Sequence, residues 1–164
     1  MEDHQHGYAP GYSAENDPHL EPNGVLINRL GITTTRELNE AEAEFYVFRS
    51  VELSGHPLRG KFDLAHLQGI HRHLFQDVYP WAGEVRRIDI TKNTTRFARH
   101  EIIESQFADL ALQLAARNYL KELPLEQFAD RAGYFLGAIN MLHPFREGNG
   151  RTQREFIHLL ARQA

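Results

Sequence analysis

Between His143 and Arg154 the chain gathers residue types that can do chemistry together: His143-Pro144-Phe145-Arg146-Glu147-Gly148-Asn149-Gly150-Arg151-Thr152-Gln153-Arg154. An apolar helical pattern ends at Leu142, because a proline at 144 disfavours helical geometry at the residue before it, so His143 is held at a helix end beside a loop. Gly148 and Gly150 allow positive φ and close backbone approach, and a new helix is predicted from Arg151 or Thr152. Amides of such a loop, with those of the helix start, converge on one spot and favour an anion. Arg151 and Arg154 share a face of the new helix and can clamp phosphate oxygens. Glu147 brings a hard oxygen to the rim of that site, which suits a magnesium ion held between one carboxylate and phosphates. The set points to phosphoryl or nucleotidyl transfer with His143 as general base. Singly the parts are weak, since a histidine at a helix end is more often a packing residue and Gly-Asn-Gly is more often a turn.

The elements that position this segment read as helices. Thr33 to Leu53 is an amphipathic pattern in which Thr33, Thr34 or Thr35 caps, Leu38, Ala41, Phe45, Phe48 and Glu52 run at helical spacing, and the acidic outer face is solvated. Asp63 caps a helix from Leu64 to Phe75 with Leu64, Leu67, Ile70, His71 and Leu74 along one side. The loop between them, Gly55-His56-Pro57-Leu58-Arg59-Gly60-Lys61, matches the start of a phosphate-binding P-loop, but Phe62 replaces the hydroxyl residue and a helix precedes it where a strand is required. A turn explains its glycines. After Tyr79-Pro80-Trp81-Ala82-Gly83 comes the one stretch of strand-like period, 85–91, followed by polar 92–95 and then 96–98, which predicts a short β-hairpin. An isolated hairpin is marginal and must lean on helices or take a partner strand. Ile102 to Tyr119 and the stretch from Pro124 to Leu142 are again helical, so the fold class is an all-α bundle of about five or six helices with one inserted hairpin. Residues 1–24, with His4, His6 and His19, lack apolar periodicity and read as a flexible tail, leaving 25–164 as the domain. A mobile His-x-His pair seldom makes a specific metal site.

The chain has 164 residues, 41% hydrophobic and 24% charged, which suits one soluble domain. Its formal charge of −4 argues against sequence-independent nucleic-acid binding. The total hides a gradient: residues 1–80 carry 6 basic and 12 acidic groups, residues 81–164 carry 12 and 10, and the hairpin segment 86–99 carries five basic and one acidic. An anionic ligand therefore belongs in the second half. With no cysteine, thiolate chemistry and disulfides are excluded. No apolar run approaches the ~20 residues of a membrane span, and no targeting segment is recognisable, which makes a cytoplasmic location the expectation.

Position for position, His143 to Arg154 resembles the signature of the Fic family, HxFx[DE]GNGRxxR. Tyr79-Pro80-Trp81-Ala82-Gly83 is similar to the family's turn before the hairpin and 88–97 to its flap, so the resemblance covers most of 33–164. It implies a bacterial Fic-fold enzyme that transfers AMP from ATP, with Mg²⁺, to a hydroxyl side chain of a target protein. By motif position His143 would deprotonate the target hydroxyl, Phe145 would anchor the loop, and Glu147 would hold Mg²⁺. Gly148, Asn149 and Gly150 would bind phosphates, with Asn149 near the α-phosphate, and Arg151 and Arg154 would orient the β- and γ-phosphates. Ile90, Thr91 and Lys92 of the flap would pair with an extended stretch of the target, and Phe97 would serve either packing or target contact. The Doc-like branch, a protein kinase, lacks the second glycine, so Gly150 favours AMP transfer. The family's self-inhibiting pattern [ST]xxxE[GN] has no match, since Leu38 follows Glu37 where Gly or Asn is needed. This implies the toxin class, FicT-like, inhibited by a separate small antitoxin whose glutamate meets Arg154. For such toxins the ATPase subunits of DNA gyrase and topoisomerase IV are the expected targets, with a host small GTPase the alternative for a secreted effector. Family members continue past the tenth residue after Arg154, which implies that part of the adenine pocket or a regulatory element lies beyond this C-terminus. A non-catalytic module that keeps the fold and binds strands through its hairpin is the rival from another class.

Overall fold

Thr34 and Asp63 act as the expected caps. The structure, a computed structural model, describes residues 12–13 and 16–164; the His4 and His6 pair lies outside them. The first helix, α1, spans Thr35–Gly55, with the Thr34 hydroxyl oxygen accepting from Glu37 N. The second, α2, spans Leu64–Phe75, with the Asp63 carboxylate accepting from His66 N at 2.9 Å. A 3₁₀ turn, His100–Ile102, leads into α3 (Ile103–Ala116), α4 runs over Leu125–Leu142, and α5 over Asn149–Gln163. Helix α2 lies at the centre, packed on α1, α3 and α5, and α4 joins α3 to α5. Leu67, Ile70, Leu74 and Phe75 of α2 meet Phe107, Phe135, Phe145, Phe156 and Leu160 in one buried core. Removing these apolar surfaces from water is the main favourable term that holds the helices together. Among the described residues no helix is long and apolar enough to cross a membrane.

Three expectations change. The inward stripe of α1 runs through Leu38, Glu42 and Leu53, which are buried, while Phe48 is 62% exposed; the predicted stripe is thus rotated by about one residue, and one of the acidic side chains assigned to solvent faces inward. The hairpin is shorter than predicted: β2 is Thr91–Lys92 and β3 is Thr95–Arg96. On either side of the two strands backbone groups turn to the end of α4 instead, Arg86 N donating to Pro144 O at 2.9 Å and Ala98 N to Met141 O at 3.0 Å. These bonds fasten the base of the flap to the end of α4.

The third change concerns the expected tail. From Asn16 on, the chain is folded onto the body: Asp17 is ion-paired with the buried Arg146, the His19 ring stands edge-on to Trp81 at 5.0 Å, and Leu20 bridges to Leu26. Burial works against an ionised Asp17, but hydrogen bonds from His19 and Arg146 outweigh it and hold the carboxyl at about 2. Further upstream, Tyr12–Ser13 forms a strand, β1, antiparallel to β2 with Tyr12 opposite Lys92 and Ser13 opposite Thr91. The sheet order is β1-β2-β3, so the inner edge of the flap is already paired, by the chain itself.

Candidate active site

Helix α4 ends in His143, whose φ of 47° and ψ of 63° place it in the left-handed region. Such a conformation in a non-glycine residue costs about 1–3 kcal/mol and persists only where the surroundings impose it. Here Arg86 does so. Its guanidinium, buried against the flap base, donates through Nε to His143 O at 2.8 Å and through Nη2 to Leu142 O at 3.1 Å, while Nη1 reaches Ile88 O at 2.5 Å and Nη2 also Ala98 O at 2.5 Å. Four carbonyls satisfy a cation for which burial has lowered the affinity for its proton to about 10. The His143 ring is covered by Phe97, stacked at 3.7 Å between centroids. Burial, with the charges of Arg86 and Lys92 against a helping bond to Asn140, brings His143 down to about 4, so the ring is neutral. Nδ1 donates to Asn140 O at 3.1 Å, which leaves Nε2 as the nitrogen that can accept a proton.

The loop 143–148 is closed by side chains. Asn149 is buried, and its amide accepts from Phe145 N at 2.8 Å and donates to Phe145 O at 2.7 Å. Phe145, fully buried, stacks on His71 at 4.0 Å. His71 receives Gly83 N on Nδ1 at 2.8 Å, so its Nε2 carries the hydrogen and donates to Glu147 O at 2.9 Å; burial takes its pKa down to about 3. Gly148 adopts φ +78°, and a Cβ there would lie 2.5 Å from the Phe75 ring, so only glycine fits. Gly150, expected to share that freedom, is instead in the first turn of α5. Its hydrogen faces a gap in which a Cβ would meet nothing nearer than Arg154 Nη1 at 3.5 Å. The new helix therefore starts at Asn149, ahead of the predicted Arg151 or Thr152. The N–H groups of Asn149, Gly150 and Arg151 have no carbonyl in their own helix to bond, which is the anion-attracting end. Asn149 can serve an α-phosphate through its main-chain N–H, its side chain being engaged in the loop.

Arg151 lies over the Phe75 and Tyr46 rings, at 4.8 Å and 5.2 Å, and its Nη2 donates to Glu42 Oε1 at 2.5 Å. Tyr79 donates to the other Glu42 oxygen at 2.5 Å. Burial would weaken the Arg151 cation, but Glu42 outweighs it and raises its pKa. Arg154 is exposed and has no carboxylate partner among the described residues. Glu147 Oε1 accepts from Gly148 N at 2.9 Å, and burial pushes its carboxyl up. Among the described residues no group of three or more His, Asp or Glu side chains could hold a metal. One carboxylate beside a helix start that attracts anions is the donor set a magnesium ion arriving with phosphates and keeping much of its water would need, and Glu147 could supply it.

Of the flap residues, Thr91 and Lys92 lie in β2 between β1 and β3. Ile90 is buried and its carbonyl accepts from Phe97 N at 3.3 Å, across the hairpin. Phe97 packs on His143. The spacing of the motif indicated none of Glu42, His71, Tyr79 or Arg86. A signal exists for Glu42, one turn after Leu38 on the same face, for His71, on the apolar side of α2, and for Tyr79, in the turn before the flap.

Residues 61–161 match the sequence pattern of the Fic/DOC family. The chain is 48% identical to "Protein adenylyltransferase VbhT" of Bartonella schoenbuchensis over 93% of its own length and 32% of that protein's. It is thus similar to about a third of that relative. It is 41% identical to "Probable protein adenylyltransferase Fic" of Salmonella typhimurium, over 90% of this chain and 74% of that one. A crystal structure of BepC, a VirB-translocated effector of Bartonella tribocorum with bound AMPPNP, superimposes with a TM-score of 0.80 at 29% identity over 88% of this chain and 76% of that one.

Proposed function

The chain belongs to the Fic/DOC family, and from that premise we propose that it transfers AMP from ATP to a hydroxyl side chain of a partner protein. The observation that carries this is the junction of α4 and α5: a neutral imidazole, held by Arg86 and tautomerised by Asn140, stands at the start of a helix whose first amides and Arg151 attract anions. His143 Nε2 takes the proton as the acceptor oxygen attacks the α-phosphorus and pyrophosphate leaves. The amides of Asn149, Gly150 and Arg151, with the Arg151 and Arg154 cations, hold the phosphate charge that develops on the leaving group. A magnesium ion bound with the nucleotide through Glu147 would supply further charge neutralisation.

The acceptor is presented as an extended strand on the flap, in the place β1 now holds beside β2. ATPase subunits of DNA gyrase and topoisomerase IV are the first targets to try, with a host small GTPase as the alternative. The exposed Arg154 suits a glutamate delivered by a separate antitoxin. Incubation with ATP labelled in the α or γ position, Mg²⁺ and a bacterial lysate tests the reading: protein label should come from the α position only, and His143→Ala should lower it ~10²–10⁴-fold. Label from the γ position would make the protein a kinase instead, and full activity of His143→Ala would remove the base.

A further inference from the structure

Glu42 sits on a helix whose other carboxylates, Glu37, Glu40, Glu44 and Glu52, are exposed, yet Glu42 is 3% exposed. A buried carboxylate is unfavourable unless both oxygens are satisfied by donors or charge. Here both are: Arg151 Nη2 donates to Oε1 and the Tyr79 hydroxyl to Oε2. Tyr79 is itself 1% exposed and stacked on Trp81 at 4.3 Å, so its hydroxyl is a fixed anchor, and Glu42 is held in place by a group that belongs to the core. Arg151, against the Phe75 and Tyr46 rings, hydrogen-bonds among the described residues only through Nη2, and its side chain keeps 21% exposure. A guanidinium has five N–H donors in a rigid fork, and the ones Glu42 does not use stay available to a ligand.

Resting on the reading of Arg151 as a phosphate ligand, we propose that Glu42 is a positioning residue for nucleotide binding: it fixes one edge of the Arg151 fork so that the remaining donors meet the outer phosphates of ATP. A phosphate that displaced Glu42 would strand a buried carboxylate held only by Tyr79, which is far less favourable than binding with the pair intact. The nucleotide therefore adds to the Glu42 and Arg151 pair and does not replace it.

Calorimetric titration with ATP and, separately, with AMP, each with Mg²⁺, distinguishes positioning from plain structural support. AMP lacks the phosphates that Arg151 would hold. Glu42→Gln should weaken ATP about tenfold, leave AMP within about twofold, and add no further loss in an Arg151→Ala background. Tyr79→Phe, which deletes one hydroxyl and leaves the ring, should give a smaller loss of the same kind and carries the test if Glu42→Gln does not fold. Unchanged or tighter ATP binding by Glu42→Gln would make Glu42 a bystander or competitor. Parallel loss of ATP and AMP, or a loss that adds to that of Arg151→Ala, would make it structural only; each result overturns the inference. If the wild-type chain does not bind ATP, or Arg151→Ala leaves ATP affinity untouched, the reading of the site falls first and the inference with it.

Discussion

Burial strips His143 of water and thereby of its proton. The ring is brought to about 4, well below the usual ~6.5 of a histidine, so it enters neutral solution already in the form that accepts a proton. The bond from Nδ1 to Asn140 O selects which nitrogen accepts. Labelled-imidazole NMR should therefore show His143 as the neutral Nδ1–H tautomer from pH 8 down to ~5.5, where an ordinary histidine is mostly protonated. A midpoint near 6.5 for this ring would contradict the geometry. This observable isolates the base from Glu147, whose raised carboxyl also titrates on the acid side and would blur a rate profile.

At the scale of elements, the flap is a sheet of three very short strands in which β2 is central. A strand supplied by a target can use the β2 edge only after β1 leaves it, since backbone groups of an antiparallel pair cannot serve two neighbours on one side. Deleting residues 1–15, which keeps Asp17 and its pair with Arg146, should raise the rate of target modification several-fold, about the 1 kcal/mol expected for losing so short a ladder, with ATP affinity unchanged. A rate that falls or stays level would mean that β1 helps form the docking site or that the target uses the outer edge of β3. The same scale explains Gly148: the helix junction needs φ +78° and contact with Phe75, both of which any side chain would prevent.

For the molecule as a whole, the buried histidines set how stability responds to acid. His71 falls to about 3 and His143 to about 4, chiefly through burial, and burial lowers His66 in the same sense. Both folded values lie below that of the unfolded chain, so between them and ~6.5 the unfolded state binds more protons and stability drops as pH falls. Each proton contributes a slope of up to about 1.4 kcal/mol per pH unit. Glu147 acts in the opposite sense above 4.5, where its raised carboxyl gains protons in the folded state, while Asp17, held at about 2, adds to the loss only below 3.8. Urea unfolding at pH 7 and 5.5 should thus differ by about 2–3 kcal/mol, the lower pH being less stable. Equal or higher stability at 5.5 would show that these rings are hydrated or mobile. The charge gradient has its counterpart here: the second half holds Arg151 and Arg154 at the proposed anion site, but the first half supplies Glu42, the nearer of the two carboxylates paired with Arg151.

Local covalent constraints made much of this legible in the sequence. Thr34 and Asp63 begin helices because their side chains replace missing acceptors, Leu142 ends one because Pro144 follows, and the order of His143, Glu147, Gly148, Asn149, Gly150, Arg151 and Arg154 points to an anion site at a helix start. What only the tertiary structure decided is which distant groups complete that site. Period alone places Arg86 in a strand, yet it caps the carbonyls around His143; an acidic run implies a solvated Glu42, yet it pairs with Arg151; helical spacing puts His71 on the inner side of α2 but does not reveal that it holds the Glu147 carbonyl; weak periodicity makes 16–24 look like tail, yet these residues pack on the body. Each is a polar group buried by a partner far away in the chain. Periodicity and capping report only what neighbours within about one helical turn impose, whereas the pairing of buried charges depends on how complete elements come to rest against one another.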